Sequence, residues 1–384
     1  MAKKQIVEKT DTSKELERVI YKVEEVNLYR IRQSIASWRN AINEAEGTEK
    51  NYQSLIRLYN DITLDTHISA LIDSRVSRLL CSDFTIVNAS GKQDTVYQEK
   101  FDDEWFSNVM RWYVESKFYG YSLIQIDDIV NGNISEVKLI KRENVNPYKR
   151  EIVGVFNTEG VNYTKPEYYD WLIEINTKDF GYLCKLAPLA IYKKGALSFW
   201  NEFAEIFGTP FRVGKTSTNR PEDRKKMADF LKNMGSSGYG VMGKDEEIQF
   251  IENSRGDAFG VYENLINKLN SEMSKLVLGG TESIEGGGNG SEARATVHNN
   301  QTEYKEYMDK KGFEYFVNKY LIPKLYNLGV VKDTIKFSFN KETSLEELTM
   351  KIDIDAKVSS LLVEGQLDKT YLVDRYGVVI NNMN

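Results

Sequence analysis

Residues 207–217 read FGTPFRVGKTS, and the fold turns on whether this stretch is a phosphate loop or a junction between two elements. A phosphate loop places four residues between its first glycine and Gly-Lys-Thr, so that successive backbone N–H groups curl around one phosphate. Here Gly208 and Gly214 enclose five. Such a loop also follows a strand and opens a helix, whereas this one follows a helical run and enters an extended one. No acidic strand suited to Mg²⁺ accompanies it. The stretch therefore reads as a helix end at Gly208, a turn at Thr209-Pro210, and a strand over 211–214 followed by an exposed Lys215.

Working outward, LAIYKKGALSFWNEFAEIFG (189–208) sets Leu197, Trp200, Phe203, Ala204 and Phe207 on one helical face. Beyond the junction, a polar insert covers 209–255. It holds the strand at 211–214, a short helix from Pro221 started by the Asn219…Glu222 capping pair, and strands at Gly240–Met242 and Glu247–Ile251. A second long helix follows over 257–278. Its apolar residues Phe259, Tyr262, Ile266, Leu269, Met273 and Leu276 step 3, 4, 3, 4, 3, a 3.5-residue packing seam. At 1.5 Å per residue this helix spans about 33 Å. Next comes GGTESIEGGGNGSEARATV, a glycine-rich loop, and a third helix from Ser291 to Leu328 weakened at Gly312 and Pro323. TIKFSFN reads as a strand, and Ser344…Glu347 as a capping box opening a helix that Gly365 closes.

The first half mixes helix and sheet. Residues 1–13 form a polar arm. Helical spacing then runs from Leu16 through Ile20, Val23, Ile31, Ile35, Trp38 and Ile42 to Gly47, and again over 51–80. DFTIV (83–87) is a strand, and EKFDDEWFSNVMRWYVESKFYG an aromatic helix closed by Gly120. In YSLIQIDDIVNGNISEVKLIK two β-rich runs flank Asn131-Gly132, the pair that a type I′ turn favours because both central residues need positive φ. EIVGVF (151–156) and DWLIEI (170–175) add strands.

Composition narrows the chemistry. The chain has 384 residues, 41% hydrophobic and 28% charged, with a net charge of −6. That balance argues against tight wrapping of nucleic-acid phosphates, which needs a basic face. No apolar run approaches the roughly 20 residues that span a bilayer, and MAKKQIVEKTDTSKELE lacks the apolar stretch of a secretion signal. Cys81 and Cys184 are too few for a disulfide framework, and a reducing cytosol fits them. His67 and His298 sit apart from cysteines and from each other, so no metal is expected. No nucleophile elbow occurs. Asp102-Asp103 and Asp127-Asp128 read as solvated faces and hairpin edges. Neither catalysis nor a cofactor is expected.

The order of pieces, together with YNDITLDTHISALIDSRVSRLLCSDFTI, FYGYSLIQI, WNEFAEIFGTPFRVGK, YENLINKLNSEMSKLVLGGTES, GSEARATVHNN and LVEGQLDKTYLVDRYGV, resembles the portal proteins of tailed bacteriophages, most of all the Mu-like portal family. The similarity runs over most of 51–380. It implies an α+β portal fold: a mixed wing, two long stem helices, a small α/β clip, a tunnel loop and a long kinked helix. Residues 1–50 would form an N-terminal arm and helix, 51–186 the wing, 187–208 the first stem helix and 209–255 the clip. Residues 256–278 would form the second stem helix, 279–296 the tunnel loop, and 297–384 the long helix with a C-terminal wing segment and a reduced crown.

The function implied is that of a ring subunit, about 12 copies closing around a channel, at the unique capsid vertex of a virion assembled in the bacterial cytoplasm. Partners implied are the terminase large subunit, a head-tail adaptor, the major capsid protein, and double-stranded DNA passing without sequence readout, but no membrane. The alternatives are a head-tail adaptor or other ring-forming virion protein and, more remotely, a nucleotide-hydrolysing enzyme. The seam Phe259, Tyr262, Ile266, Leu269, Met273 and Leu276 would pack the stem, leaving Asn264, Asn267, Asn270 and Ser271 toward water or the channel. Thr281, Glu282, Ser283, Ile284, Glu285, Gly286, Gly287, Gly288, Asn289 and Gly290 would form the loop beside DNA. A conduit must not grip DNA, and an acidic, lysine-free loop meets that need. In the clip, Lys215, Arg220, Arg224, Lys225 and Lys226 would face a docking partner, the one that owns the true phosphate loop.

Overall fold

Short polar side chains decide where the helices of the first half begin. The computed structural model describes residues 34–154, 160–207, 211–215, 220–233, 247–251, 256–280, 292–331, 335–340, 349 and 352–357. Ser34 opens α1 (Ile35–Glu46) with a reciprocal cap: Ser37 N–H donates to Ser34 Oγ at 3.1 Å, and Ser34 N–H to Ser37 Oγ at 2.7 Å. The helical stretch expected over 51–80 is two helices, α2 (Gln53–Ile62) and α3 (Thr66–Leu80). The break comes at Asp65, whose carboxylate takes the His67 and Ile68 N–H groups and so starts a new helix. The aromatic run divides for the same reason. After strand β1 (Phe84–Val87), α4 (Thr95–Phe101) and α5 (Glu104–Tyr119) meet at Asp102-Asp103, where Asp103 caps Glu104 N–H at 2.6 Å. That pair is a helix junction.

Gly120 ends α5 in the left-handed region, φ 90°, as expected. The hairpin is also as read: β2 (Tyr121–Val130) and β3 (Asn133–Leu139) pair antiparallel, with Asn131 at φ 53° and Gly132 at φ 75°. Strands β4 (Val145–Asn146), β5 (Glu151–Ile152) and β6 (Val161–Asn162) form a separate small antiparallel sheet. The strand expected over 151–156 is therefore only two residues long before 155–159, which lie outside the described residues. A short helix α6 (Pro166–Tyr169) precedes β7 (Leu172–Asn176), which pairs with the other edge of β2, giving the order β3-β2-β7.

Helix α5 lies on this sheet. Ser122 Oγ donates to Trp112 O at 2.9 Å, so the even-numbered face of β2, with the buried Ile124 and Ile126, meets the helix. Phe106 is the hub, with Phe101, Phe313 and Phe337 at centroid distances of 5.0, 5.6 and 5.5 Å. Each such ring pair adds about 0.5–1.5 kcal/mol beyond area burial. Asp127, expected at a solvated edge, is buried instead and held by Lys138 at 2.9 Å.

Helix α7 (Gly181–Phe207) begins before the residue 187 or 189 that the sequence indicated. Pro188 stands inside the helix. The end at Phe207 is as expected. Beyond it lie β8 (Phe211–Lys215), α8 (Pro221–Asn233), β9 (Glu247–Ile251) and α9 (Gly256–Leu278). The third long helix is α10 (Glu292–Phe316), which passes through one π turn, Val317–Leu321, into α11 (Ile322–Asn327). Ile322 N–H bonds Val317 O, five residues back. The wide turn stands immediately before Pro323, which has no N–H to continue the ladder.

Strand β10 (Lys336–Phe339) matches TIKFSFN. By contact the chain divides into two units, the smaller made of Ser82–Thr85 and Ser338–Asn384. Within that unit Asn340 N–H donates to Asp83 O at 2.9 Å, and Thr85 Oγ1 to Asn340 Oδ1 at 2.5 Å. Outside the described residues lie the arm and the helix start over 1–33, the Gly208 cap, the Asn219 cap, the strand at 240–242, the loop residues 281–291, the Ser344 box and the Gly365 helix end.

Candidate functional site

Two long helices, α7 and α9, pack side by side, and the insert connects them. Close approach of backbone fixes where α7 starts. Gly181 has φ 72°, and a Cβ there would stand 2.2 Å from Phe118 O. Only glycine fits. Further along, α7 packs against α9, with Phe203 and Tyr262 at 6.1 Å between ring centroids. Since 203 meets 262 while the chain reverses through the insert, the two helices run antiparallel.

The expected seam on α9 is met in its middle. Ile266, Leu269 and Met273 are buried, and Tyr262 is half-buried. At the end of the helix Val277 and Leu278 are buried where Leu276 was expected, and Leu276 is half-buried. The seam thus leaves the 3.5-residue repeat in the last turn, where α9 meets α3 and α10 as well as α7. The side chain of Phe259 lies outside the described residues. Asn264 and Asn267 are exposed, while Asn270 and Ser271 are only half-exposed.

Helix α3 ties both long helices to the rest. Asp65, besides capping α3, pairs with Lys193 of α7 at 2.8 Å, and that lysine side chain is 7% exposed. Two residues on, His67 Nε2 lies 3.0 Å from Asn270 O and 2.9 Å from Ser274 Oγ of α9. Arg75, two turns further, is buried and forms a forked pair with Asp309 of α10, at 2.9 Å from Nε and 2.7 Å from Nη2. Its Nη1 donates to Val277 O at 3.3 Å. Burial opposes the Arg75 charge, but Asp309 outweighs it and the guanidinium pKa is raised. No sequence motif marked Asp65, Lys193, Arg75 or Asp309. A cap signal at Asp65 was legible; the long-range pairs were not.

In the insert, β8 and β9 pair antiparallel, with Phe211 opposite Ile251 and Lys215 opposite Glu247. Gly214 and Lys215 therefore lie in an extended strand that follows a helix, so their amides do not curl around a phosphate. Arg220, Arg224, Lys225 and Lys226 are exposed at the start of α8. Glu222 and Asp223 share that first turn, where a helix N-terminus favours them. Thr281 to Gly290 lie outside the described residues.

The family described as portal protein of Mu bacteriophage matches residues 56–378. The portal protein of Escherichia phage Mu is 31% identical over 113 residues, covering 28% of this chain and 21% of that protein. The Mu-like prophage FluMu protein gp29 of Haemophilus influenzae is 22% identical over 290 residues, 69% of this chain and 55% of the relative. This chain thus spans about a fifth and about half of the two relatives' lengths. Among solved structures, a chain of the virion of a native gene transfer agent particle aligns with a TM-score of 0.57 at 11% identity, covering 91% of this chain and all of that one.

Proposed function

This chain belongs to the Mu bacteriophage portal protein family, and from that premise we propose that it is a ring-forming portal subunit, about twelve copies closing around a DNA channel at one capsid vertex. The observation that carries this reading is the antiparallel pair α7 and α9, joined through a small sheet-and-helix insert, with α3 tying it to α5, the helix on the antiparallel sheet. A heterologous interface closes into a ring only where the same rotation repeats from subunit to subunit, and paired helices offer a rigid surface for such a repeat.

In this reading 51–186 is the wing, 187–208 and 256–278 are the stem, 209–255 the clip, 279–296 the tunnel loop and 297–384 the long helix with a wing and reduced-crown segment. The stem gains its first turns from 181–186. The exposed Arg220, Arg224, Lys225 and Lys226, with Lys215, face the terminase large subunit during packaging and a head-tail adaptor afterwards. ATP hydrolysis belongs to the motor, and the portal has no catalysis of its own. Double-stranded DNA passes residues 281–290 without sequence readout. The ring contacts the major capsid protein, and assembly takes place in the bacterial cytoplasm.

Negative-stain images of the purified protein test the core of this. Rings with a central hole and close to twelvefold symmetry are expected; dispersed monomers at micromolar concentration would overturn it. For the clip, reversing Arg224, Lys225 and Lys226 to glutamate is expected to weaken terminase capture while rings still form. Unaltered capture would remove the docking role.

A further inference from the structure

The last turn of α9 ends in a cluster with more cations than carboxylates. Arg75 and Lys117 both pair with Asp309, the lysine at very short range. Lys305 has no carboxylate partner among the described contacts. Its Nζ donates to Leu276 O at 2.6 Å and Val277 O at 3.2 Å, two of the final carbonyls of α9. Arg75 shares the second of these carbonyls. Three cations thus surround one carboxylate, and the carbonyl end of a helix, the negative end of its dipole, supplies the rest.

The cluster is buried at its centre, and its side chains, with Leu79, Leu278 and Thr302, line a small cavity. Arg75 and Asp309 are 5% and 4% exposed, and the Tyr182 ring lies under both Arg75 and Lys305, at 5.3 and 5.8 Å. Arg78 and Lys310 pair with Glu306 at its rim, at 3.0 and 2.9 Å. Burial pulls the Lys305 ammonium below the ordinary lysine range, so the group is short of water and depends on those carbonyls. If α9 withdrew its last turn, Lys305 would lose both of these carbonyl acceptors and the buried Arg75 would lose one of its own.

We propose that Lys305 and Arg75 make a charge linkage through which α10 sets the position of the last turn of α9, so that a displacement of α10 carries the end of α9 with it. Three helices meet there: the distant α3 through Arg75, and the consecutive helices α10 through Lys305 and Asp309 and α9 through its carbonyls. The linkage is independent of ring formation. It rests on the portal reading only for its use, which is to relay movement of the outer long helix to a stem helix.

Hydrogen exchange on the purified full chain tests it. Lys305→Met is expected to raise exchange about tenfold in peptides covering 272–280, leaving the β2–β3 hairpin unchanged. Lys305→Arg keeps the donors and is expected to restore most of the protection. Asp309→Asn alters α10 at a carboxylate bonded to Arg75 and Lys117, yet it too is expected to raise exchange at 272–280. That effect should be smaller in the Lys305→Met background, because the path is already cut. Unchanged exchange at 272–280 in Lys305→Met overturns the linkage, as does an Asp309→Asn effect confined to 302–316 or fully additive with Lys305→Met. If Asp309→Asn does not fold, the two Lys305 variants decide alone. Absence of rings in electron micrographs would instead count against the portal reading and leave these outcomes untouched.

Discussion

Trp38 Nε1 donates to the carbonyl of Cys184 at 3.0 Å, and Cys184 stands four residues before Pro188 within α7. That carbonyl is the one that an amide at 188 would bond in an unbroken helix, and proline has none to offer. An indole from α1 fills the gap. A proline that would ordinarily end or kink a helix is tolerated here because a residue about 150 positions earlier in the chain supplies the missing donor.

The pair should behave as a coupled unit. Trp38→Phe keeps most of the apolar contact but drops the donor, and is expected to cost about 1 kcal/mol in urea unfolding. In a Pro188→Ala background the backbone regains its own donor, and the same change should cost clearly less. Equal costs in both backgrounds would show that the indole bond does not compensate for the proline.

Asp65 carries two roles that substitution can separate. It caps α3 and faces the nearly buried Lys193. Asp65→Asn retains a capping oxygen and loses the charge; Asp65→Ala loses both. The alanine variant is expected to be the worse by about 1 kcal/mol, the usual value of a cap. The asparagine variant should still lose about 3 kcal/mol, because Lys193 is left a buried charge without its partner. Thermal or urea unfolding of the three proteins side by side measures the two contributions. A near-neutral Asp65→Asn would mean that Lys193 reaches water.

Two glycines of α7 should respond in opposite directions. At Gly181 an added methyl meets Phe118 O at 2.2 Å on a backbone of φ 72°, and Gly181→Ala is expected to cost about 3 kcal/mol or more. At Gly195 nothing lies within 4 Å of an added Cβ, and helix propensity alone applies. Gly195→Ala should stabilise by about 0.5–1 kcal/mol. Melting temperatures of the two variants check both signs.

What was legible in the sequence was local. The Asn131-Gly132 hairpin, the Gly120 helix end, the middle of the α9 seam and the bounds of β9 followed from turn chemistry and periodicity, because each depends on neighbours in the chain. Helix starts were harder. Asp65 and Asp103 sit inside apolar-periodic runs, and periodicity does not register that a carboxylate has turned back to cap a new helix. The start of α7 at Gly181 was also missed, since what lets the helix run through Pro188 is a donor from the distant Trp38. The linkage at Arg75, Lys305 and Asp309 left no local pattern. Its members lie on two different helices and bond the carbonyls of a third, and in sequence each resembles an ordinary solvated charge.

Lys324 gives the clearest dependence on pH. Its side chain donates to Tyr169 O and stacks at 3.4 Å from the centroid of that ring. Burial lowers its pKa from the ordinary 10.5 to about 8, against the opposing pull of Asp170 and Glu174. Asn327 holds Asp170 in place at 3.1 Å. The folded protein therefore gives up this proton at lower pH than the unfolded chain does. Between about pH 8 and 10.5 the unfolded chain binds more protons here, so this site makes stability rise with pH across that window. Below pH 8 both states are protonated and the full cost of the buried ammonium is felt. Lys324→Met cannot titrate, and in a comparison with wild type the other lysines cancel. The melting temperature of the variant relative to wild type should be highest near pH 7 and decline steadily toward pH 10. A difference that stays flat over that range would assign Lys324 an ordinary pKa and a freely solvated ammonium.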